Sequence, residues 1–169
     1  LVSDVVILLN NDIKVRKDFV DPLAEVFVRN RNAFLVAPKV LRFDGTEEAG
    51  STMAEIRFGL FWSSALSDTR RGNVKNFSST FSSGFGAFDR AKFVRLGGYD
   101  DLYLPGRFED ADICLRAWKM GWPSFYEPRS VIYHMGQAAF KERFGTKGIN
   151  AIDGKNIFLF MWKNYDTPL

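Results

Sequence analysis

The sequence predicts an α/β protein of one domain, because its first forty residues read as strand, helix and strand joined by short connections. Residues 4–9 (DVVILL) are apolar and β-branched, which predicts a strand buried on both faces in a parallel sheet. Residues 17–29 carry apolar side chains at helical spacing, and residues 33–40 (AFLVAPKV) predict the next strand. The three elements together indicate a βαβ unit.

The rest of the chain predicts further elements in the same mixed pattern. Residues 41–80 have no clear period and predict a long excursion with one or two short helices. Gly97-Gly98 is expected to end a short helix at residues 90–96. The predicted helix 109–120 has acidic residues in its first turn and basic residues in its last turn. The predicted elements are strand 81–88, helix 90–96, helix 109–120, one or two strands in 124–133, a polar loop to Gly154 and helix 155–164.

The composition excludes some classes of protein and leaves others open. A single cysteine, Cys114, rules out an internal disulfide framework, and its apolar neighbours predict a buried small side chain. The net charge of +3 is compatible with an anionic substrate or anionic lipid without indicating either. The sequence has no apolar run as long as a membrane span. Because Leu1 leads almost directly into a buried-looking strand, we expect the chain to be part of a longer protein.

Polar side chains follow two of the predicted strands, where each strand ends. Asp12 closes an Asn-Asn-Asp tip after the first strand, and His134, the only histidine, ends a later one. Ligands of open α/β sheets bind at the carboxyl ends of strands, so the two side chains together can hold Mg²⁺ or Mn²⁺, at about 2.1–2.2 Å from each. The alternatives are an ordinary Asn/Asp turn and a histidine that forms a structural hydrogen bond.

Three carboxylates lie within four residues at the start of a predicted helix: Glu109, Asp110 and Asp112. One of them can act as a general base whose pKa is raised by its like-charged neighbours. The alternative is an ordinary acidic helix N-terminus with Asp110 as the cap. Spacing alone does not separate these two interpretations.

The order of these segments resembles the family 2 glycosyltransferases, enzymes that transfer a sugar from a nucleotide-diphospho-sugar to an acceptor hydroxyl. The segments that carry the resemblance are residues 8–12 (LLNND), 83–90 (SGFGAFDR) with 96–100 (LGGYD), 108–116 (FEDADICLR), 131–136 (VIYHMG) and 158–164 (FLFMWKN). They are similar to the DxD-like, acceptor-side "GGxxxxRR…GGFD", "FEDxDLxxR", "VxHxxG" and "FLxxKN" elements of that family. These five elements stand in the family's order and span most of the chain.

The resemblance implies a GT-A fold, with a mixed sheet flanked by helices that is incomplete on its N-terminal side. It implies that residues 1–169 form the C-terminal, acceptor-side part of one catalytic domain whose nucleotide-binding half is absent. The family inverts the anomeric centre by in-line displacement, so no protein nucleophile is required. The element "QxxRW" of processive synthases is absent, which favours transfer of one or a few sugars.

The resemblance also implies a role for each matched residue. Asp12 and His134 would be the metal ligands for Mn²⁺ or Mg²⁺, with Asn10 and Asn11 beside the donor. Asp110 would be the catalytic base, and Glu109 and Asp112 would support it or contact the acceptor. The residues expected to contact the donor or acceptor sugar are Gly84, Phe85, Gly86 and Trp62.

The expected partners are a nucleotide-sugar and a saccharide or lipid-linked acceptor, in bacterial cell-surface polysaccharide or glycolipid synthesis, and no nucleic acid. We expect a cytoplasmic protein. The apolar run 157–162 can pack against a neighbouring segment, and the alternative is that it makes peripheral contact with the inner face of the membrane. Two other functions stay open at this point: a nucleotidyltransferase, although no Gly-rich phosphate loop is visible, and a non-catalytic carbohydrate-binding or interaction fragment.

Overall fold

The structure is a computed structural model that describes residues 4–66, 77–136 and 138–165. Residues 67–76, which belong to the predicted excursion, lie outside the described residues. The strands are β1 Val5–Leu8, β2 Ile13–Val15, β3 Leu35–Arg42, β4 Glu47–Ala49, β5 Ser51–Arg57, β6 Leu60–Leu66, β7 Ser78–Thr80, β8 Gly86–Asp89 and β9 Ser124–His134. The helices are α1 Val20–Arg29, α2 Arg90–Arg95, α3 Glu109–Lys119 and α4 Ala138–Asn164, with a short 3₁₀ turn at Asp101–Tyr103.

A mixed sheet forms the centre of the fold, as the sequence predicts. Its strand order is β1-β8-β3-β9-β2, β4 pairs with β3, and β7 pairs with β9. Strands β3 and β9 pair in parallel from Leu35 opposite Ser124 to Arg42 opposite His134, with a register shift between Pro38 and Lys39. The other pairings in the described sheet are antiparallel.

Helices cover both faces of this sheet, because alternate side chains of each strand point to opposite sides. Val36 packs with Leu23 and Val26 of α1 on one face. Its neighbour Leu35 packs on the other face in a cluster that includes residues of α3, among them the fully buried Cys114, as predicted for that side chain. The result is a three-layer arrangement.

The prediction of a buried parallel strand at residues 4–9 was wrong in its pairing. β1 is half-buried, forms one side of the described sheet and pairs antiparallel with β8 from Val5 opposite Asp89 to Leu8 opposite Gly86. β8 therefore lies between β1 and β3, and the expected βαβ unit is split by a strand from much later in the chain. An apolar run indicates burial, but it does not identify the strand with which it pairs.

The predicted excursion contains strands where short helices were expected. β5 and β6 form a separate hairpin, with Ser51 opposite Leu66 and Arg57 opposite Leu60. The hairpin is attached to the domain through Phe61, which is buried and lies 4.3 Å, between ring centroids, from Phe160 of α4.

The predicted polar loop to Gly154 was also wrong, because most of it is helical. α4 begins at Ala138 and is interrupted at Gly145, whose φ of 60° and ψ of 175° are not helical. Within the predicted terminal segment Phe160 is fully buried, whereas Phe158 and Trp162 are exposed. No helix in the described part of the chain is long and apolar enough to cross a bilayer.

Candidate active-site cleft

A cleft of about 960 Å³ opens at the end of the sheet where β9 terminates. Most of the side chains singled out in the sequence line it, and two do not. The predicted residues along its wall are Asn10, Asn11, Asp12, Trp62, Gly84, Phe85, Glu109, Asp110 and His134. Asp112 and Gly86 are not part of the wall.

Asp12 and His134 face each other on this wall because of strand pairing. β2 pairs with the end of β9, with Ile13 opposite His134, and the Met135 backbone N–H donates to the carbonyl of Asp12 over 3.2 Å. His134 Nε2 lies 3.4 Å from Asp12 Oδ2. Two ligands that share an ion at about 2.1–2.2 Å are about 3.0–3.5 Å apart for bond angles between 90° and 109°, so this separation is compatible with a shared ion.

The other ring nitrogen of His134 contacts a residue that the sequence reasoning did not consider. Glu48 Oε1 lies 3.1 Å from His134 Nδ1. The imidazole is almost fully buried and its centroid is 5.0 Å from that of Phe85. Glu48 follows a predicted Asp-Gly turn beside a second glutamate, a pattern typical of a solvated turn, and no local signal connects it to a histidine so distant in the chain.

Several buried polar atoms of this group have no hydrogen-bond partner within the described ranges. They are Asp12 Oδ1, Glu48 Oε2 and His134 Nε2. Buried polar atoms are ordinarily paired, so unpaired acceptors gathered at a cleft fit a bound cation or polar ligand. Among the described residues, no group of three His, Cys, Asp or Glu side chains forms a complete metal cluster. An ion held here would therefore need further oxygen ligands from substrate or water.

Glu109 and Asp110 line the same cleft from the start of α3. The helix begins at Glu109 after Phe108, which has a left-handed φ of 77° and provides no side-chain cap, so Asp110 does not act as the cap. Burial raises the pKa of Asp110. Burial also raises the pKa of Glu109, and the negative charge of Asp110 adds a smaller effect in the same direction. A Cβ built on Gly84 would lie 3.8 Å from Asp110 Oδ2, so only a small residue leaves the carboxylate open at this point.

The loop that carries these carboxylates is fixed by α4. Asn156 is fully buried, and its Nδ2 lies 3.1, 2.9 and 2.7 Å from the carbonyl oxygens of Tyr103, Gly106 and Arg107, which share its two N–H donors. Arg107, with a φ of 75°, forms a bidentate ion pair with Asp153 at the cleft wall. These contacts hold a backbone conformation that side-chain-bearing residues rarely adopt.

Asp112 is not in the cleft, contrary to the sequence prediction. Its carboxylate is fully buried and accepts hydrogen bonds from Tyr103 Oη at 2.9 Å and Asn164 Nδ2 at 2.9 Å. It also accepts from Arg116 Nε and Lys163 Nζ, both at 2.8 Å. Burial alone would raise the pKa of Asp112, but the hydrogen bonds from Asn164 and Lys163 and the charge of Arg116 outweigh it and lower the pKa. Residues two apart on a helix point in different directions, so Asp112 joins α3 to α4.

The packing of the sheet, and not a substrate, explains why position 86 is a glycine. A Cβ at this position would lie 2.5 Å from the carbonyl oxygen of Val36, and its φ of 143° favours glycine. The predicted close approach to a sugar is therefore a close approach to β3. Trp62, in contrast, is about half exposed and faces the cleft.

The fold is similar to that of a solved glycosyltransferase. A crystal structure of GalNAc-T7 with UDP, GalNAc and Mn²⁺ aligns with a TM-score of 0.57 and 19% sequence identity, over 78% of this chain. The chain covers 27% of the length of that protein. No family model and no curated protein sequence matches the chain. The mixed sheet with flanking helices is thus a fold of the GT-A glycosyltransferase type, as the sequence resemblance implied.

Proposed function

We propose that the protein is a glycosyltransferase that moves a sugar from a nucleotide-diphospho-sugar to an acceptor hydroxyl. The observation that carries the proposal is the joint presence, in one cleft, of the Asp12–His134 pair and the Glu109–Asp110 pair. Donor phosphates carry negative charge and the acceptor hydroxyl must lose a proton, so the reaction needs both kinds of group.

The first pair fits a divalent cation, Mn²⁺ or Mg²⁺. Asp12 and His134 would hold it, because their facing atoms are 3.4 Å apart and His134 Nε2 is buried without a hydrogen-bond partner in the described structure. When bound, the ion would neutralise charge on the diphosphate that leaves. Asn10 and Asn11, on the same wall, would donate hydrogen bonds to the phosphates or the ribose.

The second pair fits acid–base work. Asp110 would accept the proton of the acceptor hydroxyl while the acceptor oxygen bonds to the anomeric carbon and the bond from that carbon to the diphosphate oxygen breaks. The electron pair of the broken bond leaves with the diphosphate, and the configuration at the anomeric carbon is inverted. Burial raises the pKa of Asp110, which makes its carboxylate a stronger base for this proton. Burial and the charge of Asp110 raise the pKa of Glu109, so Glu109 would take up a proton more readily and limit the negative charge beside Asp110.

The remaining walls fit the sugars. Trp62 and Phe85 offer apolar ring faces along the cleft, and Gly84 leaves space beside Asp110. Pyranose rings stack on such faces through their C–H groups. The acceptor would be a saccharide or a lipid-linked saccharide of a bacterial cell-surface polysaccharide or glycolipid, and the family 2 resemblance assigns the nucleotide base to a preceding half-domain.

A peripheral position at the cytoplasmic face of the membrane fits this acceptor. Phe158 and Trp162 are exposed on α4 with ring centroids 6.3 Å apart, and Lys155 is exposed about one helical turn before Phe158. Aromatic rings beside cationic side chains bind interfaces of anionic lipid. Co-sedimentation with anionic vesicles tests this contact: the wild type should pellet at low salt, and a double variant Phe158→Ser/Trp162→Ser should not. Equal recovery of the wild type in the supernatant with and without vesicles would exclude it.

The catalytic proposal is tested by assaying the intact gene product with Mn²⁺ against a panel of uridine, guanosine and thymidine diphosphate sugars. Release of nucleoside diphosphate that depends on a saccharide acceptor is the expected result. Asp110→Asn should lower turnover by a factor of about 10² to 10⁴ with little change in donor affinity. Asp101→Asn, an equal change of charge on the exposed 3₁₀ turn, should leave turnover unchanged. Full activity of Asp110→Asn would contradict the assignment.

A further inference from the structure

Glu48 is placed beside His134 by an irregularity in the sheet. In the antiparallel pairing of β4 with β3, Ala49 lies opposite Val40 but Glu47 lies opposite Leu41, so β4 has one residue more than β3 at this point. That extra residue is Glu48. A bulge of this kind redirects a side chain, and such bulges are frequent beside active sites.

The redirected side chain reaches across a neighbouring strand. β3 separates β4 from β9, and Arg42 of β3 is the residue opposite His134. Glu48 nevertheless brings Oε1 to 3.1 Å from His134 Nδ1 and also lines the cleft. In a regular ladder, side chains on one strand alternate between faces, and the bulge removes that constraint for this glutamate.

The contact defines what each ring nitrogen can do. An ionised carboxylate only accepts hydrogen bonds, so Nδ1 carries the proton and its N–H donates the hydrogen bond to Glu48 Oε1. In the neutral imidazole Nε2 is then the atom with the free lone pair, and it faces Asp12 Oδ2 at 3.4 Å. Two acceptors facing each other repel unless a cation lies between them, and the bulged glutamate holds the ring in this orientation.

We infer that Glu48 is a positioning residue that fixes the tautomer and ring orientation of His134 for metal binding at Nε2. This inference rests on the proposed function, in which His134 and Asp12 hold a divalent cation. Glu48 itself lies on the opposite side of the ring from Asp12, so it acts through His134 and not as a ligand of the same ion. A carboxylate on the distal nitrogen of a metal-bound histidine raises its basicity and typically changes metal affinity about 10–100-fold.

The inference is tested by electron paramagnetic resonance titration of Mn²⁺ into the protein, which measures affinity without any substrate. Glu48→Gln should weaken Mn²⁺ binding about 10–100-fold, because the amide is neutral and can present either its oxygen or its NH₂ to Nδ1. The matched control is Glu47→Gln, an identical change on the adjacent residue of β4, which is not part of the cleft wall and lies 3.3 Å from Lys39 Nζ. It should bind Mn²⁺ as the wild type does.

A double-mutant cycle separates action through His134 from direct binding. In a His134→Gln background, the further change Glu48→Gln should cost no additional affinity, since the ring it positions is gone. An additive loss would mean that Glu48 contacts the ion directly and would overturn the inference. Wild-type affinity in the single variant Glu48→Gln would overturn it as well.

Imidazole ¹⁵N spectra of metal-free protein give a second readout, recorded where the ring is neutral and assigned by the loss of signals in His134→Gln. The wild type should show a proton on Nδ1 and none on Nε2, and Glu48→Gln should populate the other tautomer. If the wild type bound no Mn²⁺, the metal in the proposed function would fail, and these spectra would still decide the role of Glu48. Unchanged spectra in Glu48→Gln would contradict it.

Discussion

Asp112→Asn should destabilise the protein without impairing the chemistry of the molecules that fold. Losing one partner of a buried ion pair costs about 3–5 kcal/mol. Here the two cations are partly exposed, and each keeps another acceptor: Lys163 keeps Asp100 at 2.7 Å, and Arg116 keeps the Gly98 carbonyl at 2.9 Å. We therefore expect the lower end of the range, about 3 kcal/mol, which lowers Tm by about 6–12 °C in a domain of this size.

The assay is urea or thermal unfolding combined with turnover corrected for the folded fraction. Asp110→Asn is the reciprocal control, because burial raises the pKa of Asp110 and the neutral amide relieves that cost. Asp110→Asn should keep or increase stability and lose turnover, whereas Asp112→Asn should lose stability and keep turnover. If Asp112→Asn had the wild-type Tm and a turnover as low as that of Asp110→Asn, the assignment of Asp112 to the α3–α4 junction would be wrong.

Three further changes test other parts of the structure. Gly86→Ala should lower the free energy of unfolding by more than about 3 kcal/mol, or prevent folding, because its Cβ would lie 2.5 Å from the Val36 carbonyl oxygen. Urea unfolding measures this change, and a variant as stable as the wild type would contradict the close packing of β8 on β3. Phe58→Asn should raise the free energy of unfolding by about 0.5–1 kcal/mol. Phe58 is fully exposed with a φ of 51° and forms a two-residue turn with Gly59, and Asn-Gly is preferred in such turns. A lower Tm of the variant would show that the ring contributes to the fold. The pKa of Glu109 is raised in the folded protein, so Glu109 binds its proton more tightly in the folded state than in the unfolded state. Its contribution to stability is therefore present at low pH and is lost as pH rises above about 4. Glu109→Gln should therefore flatten the loss of stability that sets in as pH rises above about 4, and parallel curves for the two proteins would refute that sign.

Part of the site could be predicted because it depends on general properties of sheets. Asp12 and His134 follow predicted strands, and the carboxyl ends of strands that run in the same direction lie at the same edge of a sheet. Glu109 and Asp110 were recognised as carboxylates at a helix start. Their positions need no knowledge of distant pairings, which is why the sequence was informative about them.

The rest depended on contacts between distant parts of the chain. Glu48 reaches His134 through a bulge that no local pattern encodes, and β1 pairs with β8 although an apolar run indicates only burial. The polar segment before Gly154 is helical where the sequence predicts a loop, and its Asp153 pairs with Arg107 of the loop before Glu109. Tertiary contacts of this kind override weak local propensity. The position of Asp112 follows from helix geometry, because residues two apart on a helix are separated by about 200° of rotation and Asp112 therefore points away from the cleft that Asp110 lines.

The pairing of β3 with β9 has a consequence for how the chain acquires its site. Leu35 pairs with Ser124 and Arg42 with His134, so this pairing joins segments far apart in sequence and requires closure of a long loop. Such pairings form late and slowly during folding. Asp12, Glu48 and His134 are brought together only when β9 is in place, so a nascent or partly folded chain presents no cation site. The cation proposed to be held by Asp12 and His134 would bind the folded state alone and shift the folding equilibrium by mass action, so the concentration of free metal would affect the yield of native protein.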